Sequence, residues 1–386
     1  MAELKDYSGE FNPKIRYQDF SKDALAGLLT EYAWMNMCLD GWWRDIVKEK
    51  RGRVVWGRGI PHWQTRTMKA LNIQGNDVAA CIKTLQMDPG MCFNIFDLSW
   101  ELEDGNYGLL TIRDCPAVNC YESADETTKL AGTCQMDLEA FNRVAKSFNP
   151  GMEVTALALP PRKGKDDICC RFEFRLEPEM PTGAQRVEVA AMSELADYSG
   201  EFNPKIRYQD FSKDALARLV TEYARLGLRL DGWWQDSVRE KCGEREAIEY
   251  EKAVWERGTP YWQMRTMKAL NIQGNDVAAC IKALQMDPQL CFNVFDIEWE
   301  MRDGNHGTYT VRNCHAVRYF EGIEDMATLV HMCQLDWDAY RKIAQFFNPD
   351  MEVVALALPP RKSPDEIACK FEFRLESKTS MSGING

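Results

Sequence analysis

Phe96-Asp97-Leu98-Ser99-Trp100-Glu101-Leu102-Glu103-Asp104-Gly105 alternates apolar with acidic or polar residues and ends on turn chemistry. Strand side chains point alternately to two faces, so Phe96, Leu98, Trp100 and Leu102 predict one buried face and Asp97, Ser99, Glu101 and Glu103 one wet face. Asp104-Gly105 reverses the chain, and Leu110 and Ile112 resume on a returning strand. Downstream, Glu153 to Leu159, closed by Pro160-Pro161, and Ile168 to Leu176 continue the sheet. In the last strand Cys170, Phe172, Phe174 and Leu176 share one face while Arg171, Glu173 and Arg175 share the other. The expectation is an antiparallel sheet of about four strands, covered on one side.

Upstream the period lengthens to that of a helix. Phe20-Ser21-Lys22-Asp23 offers a cap, after which Leu25, Leu28, Leu29, Tyr32, Met35 and Leu39 recur at helical spacing up to Gly41-Trp42-Trp43. Pro61 suits the first turn of a second helix through Trp63, Met68 and Leu71. Asn76 or Asp77 caps a third, through Val78, Cys81, Ile82 and Leu85, which stops near Asp88-Pro89. The module reads as α+β, a helical first half packed on an antiparallel sheet.

That module occurs twice. Tyr7-Ser8-Gly9-Glu10-Phe11-Asn12-Pro13 returns as Tyr198-Ser199-Gly200-Glu201-Phe202-Asn203-Pro204, and Met1-Ala2-Glu3-Leu4 aligns with Met192-Ser193-Glu194-Leu195. The repeats are placed at 1–177 and 192–377, with a linker at 178–191 rich in Pro, Gly and small residues and a flexible tail at 378–386. Around 244–252 the second copy carries residues without a counterpart in the first, expected as a charged helical extension or loop. The signal at Pro61 recurs at Pro260, and that at Asp77 at Asp276. Two complete domains of this kind are expected to associate across a pseudo-twofold axis as an ancestral homodimer would, with further oligomerisation open.

The chain has 386 residues, 45% of them hydrophobic, a formal charge of -12 and a pI near 5.1. Its length allows two full cores. The acidic balance argues against a nucleic-acid partner, whose phosphates call for concentrated Lys and Arg. The N-terminus shows no apolar signal segment and no run is long enough to span a bilayer, so a soluble, cytoplasmic protein with a small-molecule partner is expected. In that setting fourteen cysteines read as reduced thiols, metal ligands or buried apolar residues rather than a disulfide framework.

Cys134-Gln135-Met136-Asp137 and Cys333-Gln334-Leu335-Asp336 stand before amphipathic runs. Asp137 has the chemistry of an N-cap for the segment that follows, which would place Cys134 in the positive field of a helix start and favour its thiolate. Cys81, Cys92, Cys115, Cys134 and Cys170 have counterparts in Cys280, Cys291, Cys314, Cys333 and Cys369, whereas no histidine is matched. Cys81 and Cys92 continue apolar faces and read as core. Cys170 reads as core or as a neighbour of Cys134, and the hairpins bring Cys115, Cys134, Asp137 and Cys170 towards one place. Arg162 and Arg361, after the Pro-Pro pairs, are solvated loop charges or anchors for a carboxylate. Trp42 and Trp233 are packing residues or walls of a ligand pocket.

The run CQMDLEAFNRVAKSFNPGMEVTALALPPRKGKDDICCRF, repeated as CQLDWDAYRKIAQFFNPDMEVVALALPPRKSPDEIACKF, resembles the L-2-amino-thiazoline-4-carboxylic acid hydrolase-like family over the last third of each copy. The resemblance implies hydrolytic opening of a thiazoline ring that carries a carboxylate. Two mechanisms follow from it. In one, Cys115, Cys134, Asp137 and Cys170, with Cys314, Cys333, Asp336 and Cys369 in the second copy, hold zinc or iron and activate water. In the other, the Cys134 or Cys333 thiolate attacks an amidine-like carbon while Asp137 or Asp336 orients water or the leaving group. The alternative class is a non-catalytic binder of a small molecule or metal, a sensor or carrier.

Overall fold

A computed structural model describes residues 3–51, 60–164, 166–177 and 195–376. The linker 178–191 and the tail 378–386 lie outside the described residues, as does Trp56. Helices α1 (Lys22–Arg51), α2 (Ile60–Leu71) and α3 (Val78–Gln86) precede a hairpin of β1 (Asp97–Asp104) and β2 (Tyr107–Asp114). Then come α4 (Pro116–Ser123), α5 (Thr127–Phe148), β3 (Met152–Ala158) and β4 (Cys170–Leu176). The second repeat gives α6 (Lys213–Cys242), α7 (Glu244–Ala269), α8 (Val277–Gln285), β5 (Asp296–Asp303), β6 (His306–Asn313), α9 (His315–Gly322), α10 (Met326–Phe347), β7 (Met351–Ala357) and β8 (Cys369–Leu375). Among the described residues no helix is long and apolar enough to cross a membrane.

Each repeat builds its own four-stranded antiparallel sheet, in the order β1-β2-β4-β3 and β5-β6-β8-β7. The alternation read from the sequence is the observed register: Trp100 lies opposite Leu110, and Leu110 opposite Phe172. Those side chains are buried, while Glu101 and Glu103 are exposed. Asp77 caps α3 by accepting a hydrogen bond from the Ala80 amide at 2.8 Å, and Asp276 does the same for α8 through Ala279. Gly108 sits where β2 meets α3. A Cβ there would come within 2.3 Å of Ile82 Cδ1 and 3.0 Å of the Glu101 carbonyl, so the close approach requires glycine.

Two expectations change. The helix carrying Cys134 begins at Thr127, with Glu126 as its N-cap, so Cys134 and Asp137 lie inside α5 and not at its start. Leu130, Cys134, Phe141, Val144 and Ala145 form its buried stripe, and burying that stripe on the sheet carries the helix about three turns upstream of where Asp137 would have started it. The unmatched residues around 244–252 are helical and fuse with the segment containing Pro260, which stands inside α7 rather than in a first turn. There Thr259 donates its hydroxyl to the Trp255 carbonyl at 2.7 Å, binding a backbone acceptor in the turn that the proline disturbs.

The compact units also cut across the repeats. One unit takes Met1–Ala24, Cys38–Val55 and Trp234–Gly386; the other takes Leu25–Met37 and Trp56–Trp233. The N-terminal arm of each repeat is therefore packed with the body of the other.

Candidate functional site

In the first repeat the end of β2 and the start of β4 lie side by side, with Ile112 opposite Cys170 and the Cys169 amide donating to the Ile112 carbonyl at 2.8 Å. α5 lays Cys134 over this point, and β2 runs directly into Cys115. The thiols of Cys134 and Cys170 are hydrogen-bonded, and Cys115 and Cys169 are close enough to bias Cys170 electrostatically. Of the four residues expected to meet, the three thiols Cys115, Cys134 and Cys170 come together. Their chemistry is not that of a helix-activated thiolate. The thiol Cys134 and burial both push Cys170 up, and burial pushes Cys115 up to about 11. In the second repeat burial, reinforced by Asp336, raises Cys333 and Cys369. These groups are held as neutral thiols.

A thiol does stand at a helix start in each copy, but it is the N-cap residue Cys115 of α4 and Cys314 of α9. Neither side chain makes a capping hydrogen bond, but the nearby amides of Val118 and Ala117, and of Val317 and Ala316, pull each thiol down against the larger effect of burial. The signal was the Cys115-Pro116 pair, with proline at the first helical position. Among the described residues no group of three or more His, Cys, Asp or Glu has the arrangement to hold a metal ion. Cys115, Cys134 and Cys170 thus meet without forming such a site, as do Cys314, Cys333, Asp336 and Cys369, and no contact places Asp137 with the first set.

Arg162 and Arg361 are neither solvated nor free to anchor a carboxylate. Arg361 grips Glu321 through Nε at 2.9 Å and a terminal nitrogen at 2.5 Å, with its side chain only 6% exposed. Arg162 holds Glu122 in the same two-pronged way. Each fastens the Pro-Pro loop to the short helix that follows the hairpin. Trp42 packs edge-on to Tyr261 and tilted on Trp262, and fills the space over Gly258. Trp233 is partly buried.

The two repeats differ around Asp336. Where the first copy has Leu110 and Phe141, the second has Tyr309 and Tyr340, whose rings meet at 5.3 Å. Burial raises both phenols, and the Asp336 carboxylate raises them further. On its outer side Asp336 lines a cleft between α7 and α10, together with Glu251, Trp255, Thr259, Met332 and Lys342. The helical insertion supplies Glu251, which is 4% exposed and accepts a 2.7 Å hydrogen bond from Gln235 Nε2. Glu256 and Lys342 join the two walls by a 2.8 Å ion pair between half-exposed side chains. The cleft encloses about 30 Å³, room for a water or two.

Residues 209–375 match the model of a family of unknown function, DUF6125. No curated protein and no solved structure matches the chain. The matched stretch contains the whole Asp336 neighbourhood.

A second pair of residues was not singled out from the sequence. Asp88 and Asp287, read only as helix stops before proline, are carboxylates taken out of solvent, Asp287 buried and Asp88 partly so. Asp88 accepts from Trp63 Nε1 at 3.0 Å, Gln64 Nε2 at 2.9 Å and the Gly90 amide at 2.8 Å. Asp287 accepts from Gln263 Nε2 and the Gln289 amide, whereas the indole nitrogen of Trp262 has no hydrogen-bond partner. Burial pushes the Asp287 carboxyl up to about 6.

Proposed function

We propose that the second repeat binds a small amino-acid-like zwitterion in the cleft between α7 and α10. The observation that carries this reading is that Asp336, from the repeated Cys-x-x-Asp motif, faces a cleft whose opposite wall contains the insertion peculiar to this copy. Asp336 and Glu251, one from each wall, make the cleft acidic and suit an ammonium or amidinium group. The Trp255 face supports a flat cation, and Lys252 and Lys342 at the rim suit a carboxylate. A 2-amino-thiazoline-4-carboxylate, the ligand class implied by the family resemblance, carries this pattern when its amidine is protonated. The cleft admits it by parting Lys342 from Glu256, an exposed ion pair whose loss costs less than about 1 kcal/mol.

Two tyrosines beside Asp336 favour a second, catalytic version. Hydrolysis would use Asp336 to orient or deprotonate water, since burial holds the neighbouring cysteines as thiols, and the phenols of Tyr309 and Tyr340 would steady the carboxylate. One experiment separates the readings: the protein is heated with and without the thiazoline carboxylate, and the mixture is assayed by mass spectrometry for a ring-opened product heavier by one water. A rise in Tm without product supports binding, and product supports hydrolysis. Either effect should disappear in Asp336→Asn and persist in Asp137→Asn. A wild-type protein with neither effect removes the proposal.

A further inference from the structure

The arm of the first repeat is seated on the second. The Tyr7 amide donates to the Leu270 carbonyl at 2.7 Å, and the Tyr7 hydroxyl donates to Gln285 Oε1 at 2.6 Å. Gln285 Nε2 donates to the Asn12 carbonyl at 3.0 Å, and Lys282 Nζ donates to the Gly9 carbonyl at 2.7 Å while lying 4.7 Å from the Tyr7 ring centre. The arm of the second repeat repeats this on the first. Tyr198 donates to the Leu71 carbonyl through its amide at 2.6 Å and to Gln86 Oε1 through its hydroxyl at 2.7 Å. Gln86 Nε2 reaches the Asn203 carbonyl at 3.0 Å, and Lys83 reaches the Gly200 carbonyl at 2.6 Å.

Lys83, Gln86, Lys282 and Gln285 are all buried by these arms. Without an arm, each receptor would present a lysine and a glutamine with their acceptors missing, over an apolar surface that Tyr7 or Tyr198 covers at 2% exposure or less. The two arms share the sequence Tyr-Ser-Gly-Glu-Phe-Asn-Pro, and both receptors present lysine and glutamine at the same helical spacing. The receptor contacts therefore do not distinguish an arm belonging to its own copy from one belonging to another.

We propose that each repeat is incomplete alone and is completed by the arm of another copy of the same module, the two copies in this chain serving as each other's partner. The covalent linker is then dispensable once the arms are seated, and the repeats behave as two subunits that happen to be joined.

The test uses the full chain with a specific protease site placed in 178–191. After complete cleavage the halves should elute as one particle of the intact mass. In the same cleavable chain, Tyr7→Ala with Tyr198→Ala should weaken the association of the halves at least tenfold. Should that chain fail to fold, Lys83→Met with Lys282→Met probes the receptors instead and should have the same effect. Halves that separate with native arms overturn the proposal. So do halves that stay associated with unchanged affinity in the folded variant.

Discussion

Replacing Asp287 by asparagine should make the protein's stability less dependent on pH between about 4 and 7. Asp287 is enclosed, accepts from one side-chain amide and one backbone amide, and among the described residues has no cation to offset its charge. Its carboxyl is raised from 3.8 to about 6. A raised acid binds its proton more tightly in the folded state, so this group's effect on stability is nil below the unfolded value and turns against folding as pH climbs. The penalty is complete above about 6. At 1.36 kcal/mol per unit, it reaches about 3 kcal/mol at neutral pH. The measurement is urea unfolding of wild type and Asp287→Asn at several pH values. The difference in unfolding free energy should move in favour of asparagine by about 3 kcal/mol across this window, whatever constant offset the amide introduces. Asp88→Asn should show a smaller movement, because the Trp63 indole adds a third donor to Asp88. A wild-type-minus-variant difference that stays flat from pH 4 to 7 would refute the reasoning.

Other expectations are briefer. Cys120 is exposed, whereas Cys134, Cys170 and Cys333 are buried; a disulfide reagent at neutral pH should modify Cys120 first, and Cys120→Ser should abolish that fast phase. Rapid labelling of Cys333 would contradict the burial that holds it as a thiol. The pair Tyr309→Leu and Tyr340→Phe recreates the first repeat's core in the second. It should leave Tm within a few degrees of wild type while eliminating the ligand-induced stabilisation.

What could be read in the chain depended on how local its cause was. The sheet was legible because Leu98, Trp100 and Leu102 each report on one face, and burial follows that alternation directly. The start of α5 was not. Thr127, Thr128 and Lys129 carry no capping motif, and Glu126 makes no side-chain cap bond, so Asp137 looked like the better start. The helix exists there because Leu130 and Cys134 find the sheet, which is a tertiary cause. The meeting of the thiols was expected from hairpin topology, but what raises Cys170 and Cys115, the neighbouring Cys134 thiol and enclosure, is tertiary and no spacing reveals it. Arm exchange was beyond reach for a different reason: a receptor that presents the same lysine and glutamine in both copies does not say which copy supplies its arm.

The two repeats differ at the positions on which the proposed function rests. A buried phenol needs a partner, because an unsatisfied hydroxyl costs about 1–3 kcal/mol. Changing Leu110 into a tyrosine alone, or Phe141 alone, would incur that cost in an apolar core. The second copy has both changes, their rings in contact and both phenols in the field of one carboxylate, Asp336, yet the buried Tyr309 hydroxyl still has no hydrogen-bond partner. The same carboxylate lines the cleft that Glu251 helps to close. In the first copy the equivalent inner positions remain leucine and phenylalanine, and the insertion has no counterpart. A structural role for Asp336 would explain its presence in both copies, but not why the polar residues gathered around only one of them. The proposed ligand recognition by the second repeat would explain both, with the first repeat supplying the arm that seats on its partner.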